Sequence, residues 1–175
     1  MLTIRPAEPD DAPAIAKVHV ETWQAAYRGI IPQEYLDMLT VQNRTMGWVR
    51  LLTRERVNLL TLVSEDNDGR VVGFASGGRV RHAEPRFQAE ISSLYVTPRA
   101  QGNGHGRRLF MALSNRLAER QLKGLFVWVL ADNPARGFYD TLGGQETGEI
   151  TRDFAGTPLR EVGYGWAVTP SYTSL

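Results

Sequence analysis

Gln101-Gly102-Asn103-Gly104-His105-Gly106-Arg107-Arg108 is the stretch whose reading decides the fold. It follows a strand-like run, Ala89 to Val96, which Pro98 stops. It opens a helix on which Leu109, Leu113 and Leu117 line one face. Amides at a helix start have no carbonyl one turn back to pair with, and the helix dipole adds positive charge there. Together they suit an anion such as phosphate. Glycine lets the backbone approach that anion, because no Cβ intervenes. Two familiar phosphate loops are excluded by spelling. A P-loop needs Lys-Ser or Lys-Thr after its last glycine, and Arg107-Arg108 stands there. A dinucleotide fingerprint needs Gly-x-Gly-x-x-Gly, and this spacing is one residue short. By itself the loop leaves two readings open, a phosphate cradle and a plain glycine-rich turn.

Outward from the loop, strand and helix patterns alternate. Leu125 to Leu130 is apolar on both faces and predicts a central strand, with Gly124 ending the helix before it. Asn133 and Pro134 predict a helix start, Ala135, Phe138, Tyr139 and Leu142 form its apolar stripe, and Gly143-Gly144 stops it. Strands follow near Glu146 to Arg152 and Arg160 to Val168. Upstream, Val57 to Glu65 and Arg70 to Val80 read as a hairpin about Asn67-Asp68-Gly69, with a bulge predicted by Gly73, Gly77 and Gly78. Arg81 to Gln88 is a polar loop. Leu2 to Arg5 is a first strand. Asp10 and Asp11 can cap a helix carrying Ile15, His19, Thr22, Trp23 and Ala26 to about Tyr27. Gly29 and Pro32 break it, and helical segments follow at Tyr35 to Leu39 and Val41 to Leu52. The sum is one α/β (α+β) domain over residues 1–175, with a mixed, mostly antiparallel sheet of about seven strands and helices on both faces.

Composition narrows the function. The chain has 175 residues and a net charge of +1, so bulk charge gives no argument for nucleic acid or a membrane surface as partner. It has no cysteine, which removes disulfide scaffolds, thiolate zinc sites and cysteine nucleophiles. No run approaches the roughly 20 apolar residues that span a bilayer. The acidic start, with Glu8, Asp10 and Asp11, is no signal peptide. A cytoplasmic location is the expectation. His19, His82 and His105 are too scattered to argue a metal site, and Ser76 lacks the upstream glycine of a hydrolase elbow.

Gln101-x-x-Gly104-x-Gly106 resembles the signature loop of the GNAT superfamily of acyl-CoA-dependent N-acetyltransferases. Glu90-Ile91-Ser92-Ser93-Leu94-Tyr95-Val96-x-Pro98 is similar to the strand before that loop, and Asn133-x-Ala135-x-x-Phe138-Tyr139-x-x-Leu142-Gly143 to a later helix of the family. The order agrees, and the resemblance runs from Leu2 to about Val168. Tyr27-Arg28-Gly29-Ile30-Ile31-Pro32 also looks like a common subgroup within it. The resemblance implies a sheet splayed between its fourth and fifth strands, with acetyl-CoA in the gap and no metal. It implies backbone contacts from Leu94, Tyr95 and Val96 to the acyl and pantetheine groups. It implies Gln101, Gly102, Asn103, Gly104, His105, Gly106 and Arg107 around the pyrophosphate, chiefly through amides. Asn133 would touch the pantetheine arm and Tyr139 the thioester sulfur. The family usually has an aliphatic residue where this chain has His105, and an exposed or water-bridged imidazole is expected there.

Acetyl transfer to an amine needs a base, an oxyanion donor and an acid for the leaving thiolate. Tyr139 is the candidate acid, since a phenol holds its proton at neutral pH. Glu90 is the candidate base, directly or through water, and the Val96 amide, aimed by a bulge, is the oxyanion donor. Trp23, Tyr27 and Tyr35 are candidates for an acceptor pocket, where aromatic faces can hold a cationic amine. Core packing is an equal reading of Trp23. The 79–86 segment, with three arginines and His82, could meet an acidic acceptor or simply face water. A non-catalytic acyl-CoA sensor would carry the same loop. The acceptor could be a small molecule or a peptide amine, and an exposed last strand could pair two copies as a homodimer.

Overall fold

The structure is a computed structural model that describes residues 2–53, 59–80, 86–154 and 156–172. Val57, His82 and most of the polar 81–88 loop therefore lie outside the described residues. The strands are β1 (Thr3–Pro6), β2 (Leu59–Glu65), β3 (Val71–Arg79), β4 (Ala89–Val96), β5 (Leu125–Leu130), β6 (Gln145–Phe154) and β7 (Thr157–Trp166). The helices are α1 (Ala12–Ala26), α2 (Gln33–Asp37), α3 (Val41–Thr53), α4 (His105–Glu119) and α5 (Arg136–Thr141). All strands join one seven-stranded sheet in the order β1-β2-β3-β4-β5-β7-β6. Every neighbouring pair is antiparallel except β4 and β5. Among the described residues no helix is long and apolar enough to cross a membrane.

Alternation along the strands sends side chains to two cores. Leu62, Ile91, Val127 and Val129 meet the α4 stripe, where Leu109, Leu113 and Leu117 are fully buried. Val63 and Phe74 face the other way and meet Ile15 and Val18 of α1 with Trp48 of α3. Fully burying one such aliphatic side chain contributes about 1.5–3 kcal/mol, so both faces of β2–β4 are firmly held. At the sheet edge, Arg5 of β1 bonds Asp11 at 2.7 Å and Glu65 at 2.8 Å, tying the first strand to the start of α1. The Asn67-Asp68-Gly69 hairpin forms as expected, with the Asp66 carboxylate accepting from the Asp68 and Arg70 amides.

Two boundaries differ from the sequence reading. Gly124 does not end α4, which stops at Glu119. Gln121 takes a left-handed turn just after it, at φ 59°, and Gly124, left-handed as well at φ 70°, leads into β5. The later helix starts at Arg136 rather than beside Asn133. The Asn133 carboxamide accepts from the Ala135 amide at 2.9 Å and holds a preceding turn.

The bulge sits opposite the Gly77 site. Ser76 pairs with Ser93 and Gly77 with Ile91, leaving Ser92 as the extra residue of β4. A Cβ on Gly77 would lie 2.7 Å from the Glu90 carbonyl oxygen, so only glycine allows this approach. A bulge bends its strand and raises its twist. β4 pairs with β5 only at Ala89–Leu125 and Glu90–Phe126, immediately before the bulge, and beyond it the two strands separate.

Candidate active site

Separation of β4 from β5 opens a cleft of about 670 Å³. Ile91 to Val96 line one wall and Val127 to Leu130 the other. Gln101, Gly102, Gly104, Gly106 and Arg107 lie at one end. Asn133, Ala135, Phe138, Tyr139 and Leu142 border the same cavity. Trp23 of α1, Tyr27 at its C-terminal cap and Glu90 line it as well.

The edge of β4 is polar by construction. Thr97 donates its amide to Val72 across the β3 ladder at 2.9 Å. Backbone groups alternate in direction along an antiparallel strand, so Val96 and Leu94 turn their amides away from β3, into the gap. The Val96 carbonyl already accepts from Gln101 Nε2 at 3.0 Å and from Thr22 Oγ1 at 3.4 Å. The Val96 N–H and both backbone groups of Leu94 face the cleft. Tyr95 between them pairs with Phe74 and borders the cleft as well. The expected bulge lies at Ser92, four positions before Val96, where it splays the strand rather than turning one amide.

At the loop, Gly102 and Gly104 adopt φ of 77° and 85°, in the left-handed region that side chains rarely enter. Gly104 caps α4, whose first amides point outward from its end. Residues of the loop alternate. Gly102, Gly104, Gly106 and Arg107 border the cleft, whereas Asn103 and His105 border a separate hollow of about 440 Å³ with Asp66 and Arg99. His105 departs from expectation. It is 7% exposed, and its Nδ1 lies 2.6 Å from Ser64 Oγ of β2. The imidazole fills the inward position of an aliphatic residue and meets a hydroxyl there. Burial holds its pKa below the ordinary histidine value, so it is neutral near pH 7.

Tyr139 is buried at 8% exposure, its ring 5.6 Å from that of Tyr164. Burial, and then the nearby Tyr95 phenol, push its pKa well above the usual tyrosine range. Glu90 is 6% exposed, a carboxylate inside the cleft rather than at a solvated strand end. Trp23 and Tyr27 pack edge to face at 5.0 Å, and Trp23 stands 6.4 Å from Tyr95. Both aromatics serve cleft and core together. Tyr35 packs on Trp23 at 6.3 Å and does not border the cleft. The sequence reading missed Trp128, Arg152, Phe154 and Glu161, which complete this end. Arg152 bonds Glu161 and lies over the Trp128 ring at 5.9 Å. Among the described residues no cluster of His, Asp and Glu could hold a metal ion.

A sheet split after one parallel pairing, with a glycine loop and helix start at the mouth, defines a GNAT-type acyltransferase. The sequence pattern of the acetyltransferase (GNAT) family matches residues 20–143, and the chain belongs to that family. It is 34% identical over 166 residues to the uncharacterized N-acetyltransferase YuaI of Bacillus subtilis, covering 95% of this chain and 93% of that protein. Among solved structures it is similar to the ribosomal-protein-alanine N-acetyltransferase of Brucella melitensis. That match has a TM-score of 0.71 at 26% identity and covers 94% and 98% of the two chains. It is also similar to yncA of Salmonella typhimurium, solved with acetyl-CoA, with a TM-score of 0.72 at 24% identity over 100% and 98% of the chains.

Proposed function

We propose that residues 1–175 form a single N-acetyltransferase domain that transfers the acetyl group of acetyl-CoA to a primary amine by direct attack. The observation that carries this reading is the opened β4 edge. Backbone groups of Leu94 and Val96 face a cleft whose mouth is a row of loop amides. That arrangement suits an extended ligand with amides along its length and a pyrophosphate at its end. The residues present fit the group. Glycine supplies close approach at the loop, Arg107 borders the same end, and the Asn133 and Tyr139 side chains border the cavity beside β4. A thioester is supplied by the bound ligand as the acyl donor. The cysteine-free composition suits a reducing cytoplasm.

The chain's own groups then divide the work. Glu90, directly or through water, takes a proton from the amine so that its nitrogen can attack the acyl carbon. The Val96 N–H donates to the oxygen that gains charge. As the carbon–sulfur bond breaks, the Tyr139 hydroxyl gives its proton to the sulfur. Burial raises the phenol and the buried thiol alike, so their relative basicity decides the transfer. Trp23, Tyr27 and Glu90 border the same cleft, and they would receive a small-molecule or peptide amine as acceptor.

A thermal-unfolding scan with acetyl-CoA, CoA and NAD in parallel tests the donor site. Ligand at 100 times its Kd adds about 2.7 kcal/mol, which for a domain of this size raises Tm by roughly 5–11 °C. The expected result is a rise with both CoA species and none with NAD. No rise with saturating CoA species overturns the reading.

A further inference from the structure

We infer that His105 is a positioning residue for the pyrophosphate end of the donor, acting through a buried tether to Ser64; this rests on the acyl-CoA reading above. The loop it serves is pliable. Two of its glycines sit in left-handed conformations, and glycine loses more backbone freedom on ordering than any other residue. An amide cradle binds well only when its N–H groups are held in place before the ligand arrives. Side-chain bonds hold the loop at both ends. At its start, the Gln101 carboxamide donates to the Val96 carbonyl at 3.0 Å, fixing the loop to β4. At its end, His105, the first residue of α4, reaches down to Ser64 at 2.6 Å.

The second tether crosses the sheet. Ser64 is fully buried in β2 and pairs with Gly73, and β3 lies between it and β4. The imidazole thus anchors the helix start to a strand two places from the cleft. Leu60 and Leu62 precede Ser64 on alternate positions of β2, and Leu62 packs beneath α4. An apolar residue would be the ordinary occupant of position 64. A fully buried hydroxyl there is costly unless bonded, and His105 supplies its bond. Serine and histidine therefore form one unit, and each explains the other. His105 turns away from the cleft, so its effect on the donor passes through the loop backbone rather than through contact.

The test is a titration of CoA and acetyl-CoA into full-length variants, with steady-state kinetics on the best amine substrate. His105→Leu and Ser64→Ala each break the tether. His105→Asn keeps a polar atom at the position of Nδ1. The expected result is a three- to tenfold loss of affinity for both CoA species in the two tether-breaking variants, the range a net hydrogen bond supports. kcat stays within about twofold, and His105→Asn recovers most of the affinity. The double variant Ser64→Ala/His105→Leu binds no worse than the weaker single one, because no buried group is left unbonded in it. Wild-type affinity in His105→Leu and Ser64→Ala overturns the tether while leaving the donor reading intact. Equal losses in kcat and affinity, unrecovered by asparagine, overturn it in favour of general destabilisation. Failure of the wild-type chain to bind CoA defeats the reading beneath it instead.

Discussion

The two ends of the cleft are built from different materials. The loop end uses backbone: amides of the 102–107 loop, the turned edge of β4 at Leu94 and Val96, and glycines that keep side chains out. The other end uses side chains from five separate elements: Trp23 from α1 with Tyr27 at its C-terminal cap, Glu90 from β4, Trp128 from β5, and the Arg152–Glu161 pair from β6 and β7. Backbone geometry depends on where glycine stands and how strands pair. Side-chain geometry depends on every residue that happens to meet there. One end can stay fixed while the other changes what it accepts, which is how a common donor can serve many acceptors.

Tyr139 and Glu90, the two proton-transfer groups, should show the largest effects. Tyr139→Phe keeps the ring packed on Tyr164 and removes only the hydroxyl. General acid catalysis contributes about 10²–10⁴-fold, so kcat should fall by at least about a hundredfold while CoA affinity stays within about twofold. Stopped or steady-state rates alongside calorimetric titration separate the two. An unchanged kcat removes Tyr139 from proton transfer. Glu90→Gln should cost a similar factor, because the carboxylate that takes the amine's proton is gone. An unchanged kcat in Glu90→Gln moves the base elsewhere.

The split between the ends also explains what could be read in the sequence. The β4 run, the glycine loop and the Leu109-Leu113-Leu117 stripe are contiguous in the chain, and each carries a local rule of spacing or conformation. They were legible for that reason. Trp128 was hidden, because a run apolar on both faces does not say which side chain borders a cavity. Arg152, Phe154 and Glu161 were hidden by topology. β7 inserts between β5 and β6, so residues of the last hairpin reach the cleft only through a strand order that sequence adjacency does not suggest. His105 was misplaced because histidine is usually part-exposed. Its partner was the available signal, a serine where the alternation Leu60, Leu62 led toward another apolar residue.

His19 offers the next largest effect and bears on the side-chain end. It lies one turn before Trp23 on α1, stacked on Tyr95 at 5.5 Å and 6.2 Å from Trp48. Neither ring nitrogen has a hydrogen-bond partner among the described residues. Burial, helped by the charge of Arg44, lowers its pKa from 6.5 to about 4. The unfolded chain therefore takes up a proton that the folded chain refuses. The stability this neutral histidine allows is complete above about pH 6.5 and declines as pH falls to about 4, by about 3 kcal/mol in all. Denaturant titrations at intervals across that window should show the decline, and His19→Phe should remove most of it. His105 and Asp11 contribute to both proteins, so the difference between them isolates His19. A variant that follows the wild-type curve would mean that the aromatic wall tolerates the charge.

The smallest effect decides whether the two ends are separable. Trp23→Ala removes a ring from the acceptor side without touching the loop. Loss of an aromatic face beside a cationic amine is worth about 0.5–2 kcal/mol, so KM for the amine should rise about threefold to thirtyfold. KM for acetyl-CoA should hold within about twofold. Arg107→Ala is the mirror experiment, because Arg107 stands in the first turn of α4 at the loop, whereas Trp23 stands on α1. It should weaken acetyl-CoA and leave the amine unchanged. Crossed effects of this kind mean that the donor end works independently of whatever amine is offered. If Trp23→Ala weakens both ligands equally, the ring supports the β4 wall through Tyr95, 6.4 Å away, and the two ends form one mechanical unit. In that case a change of acceptor preference would have to disturb the donor as well.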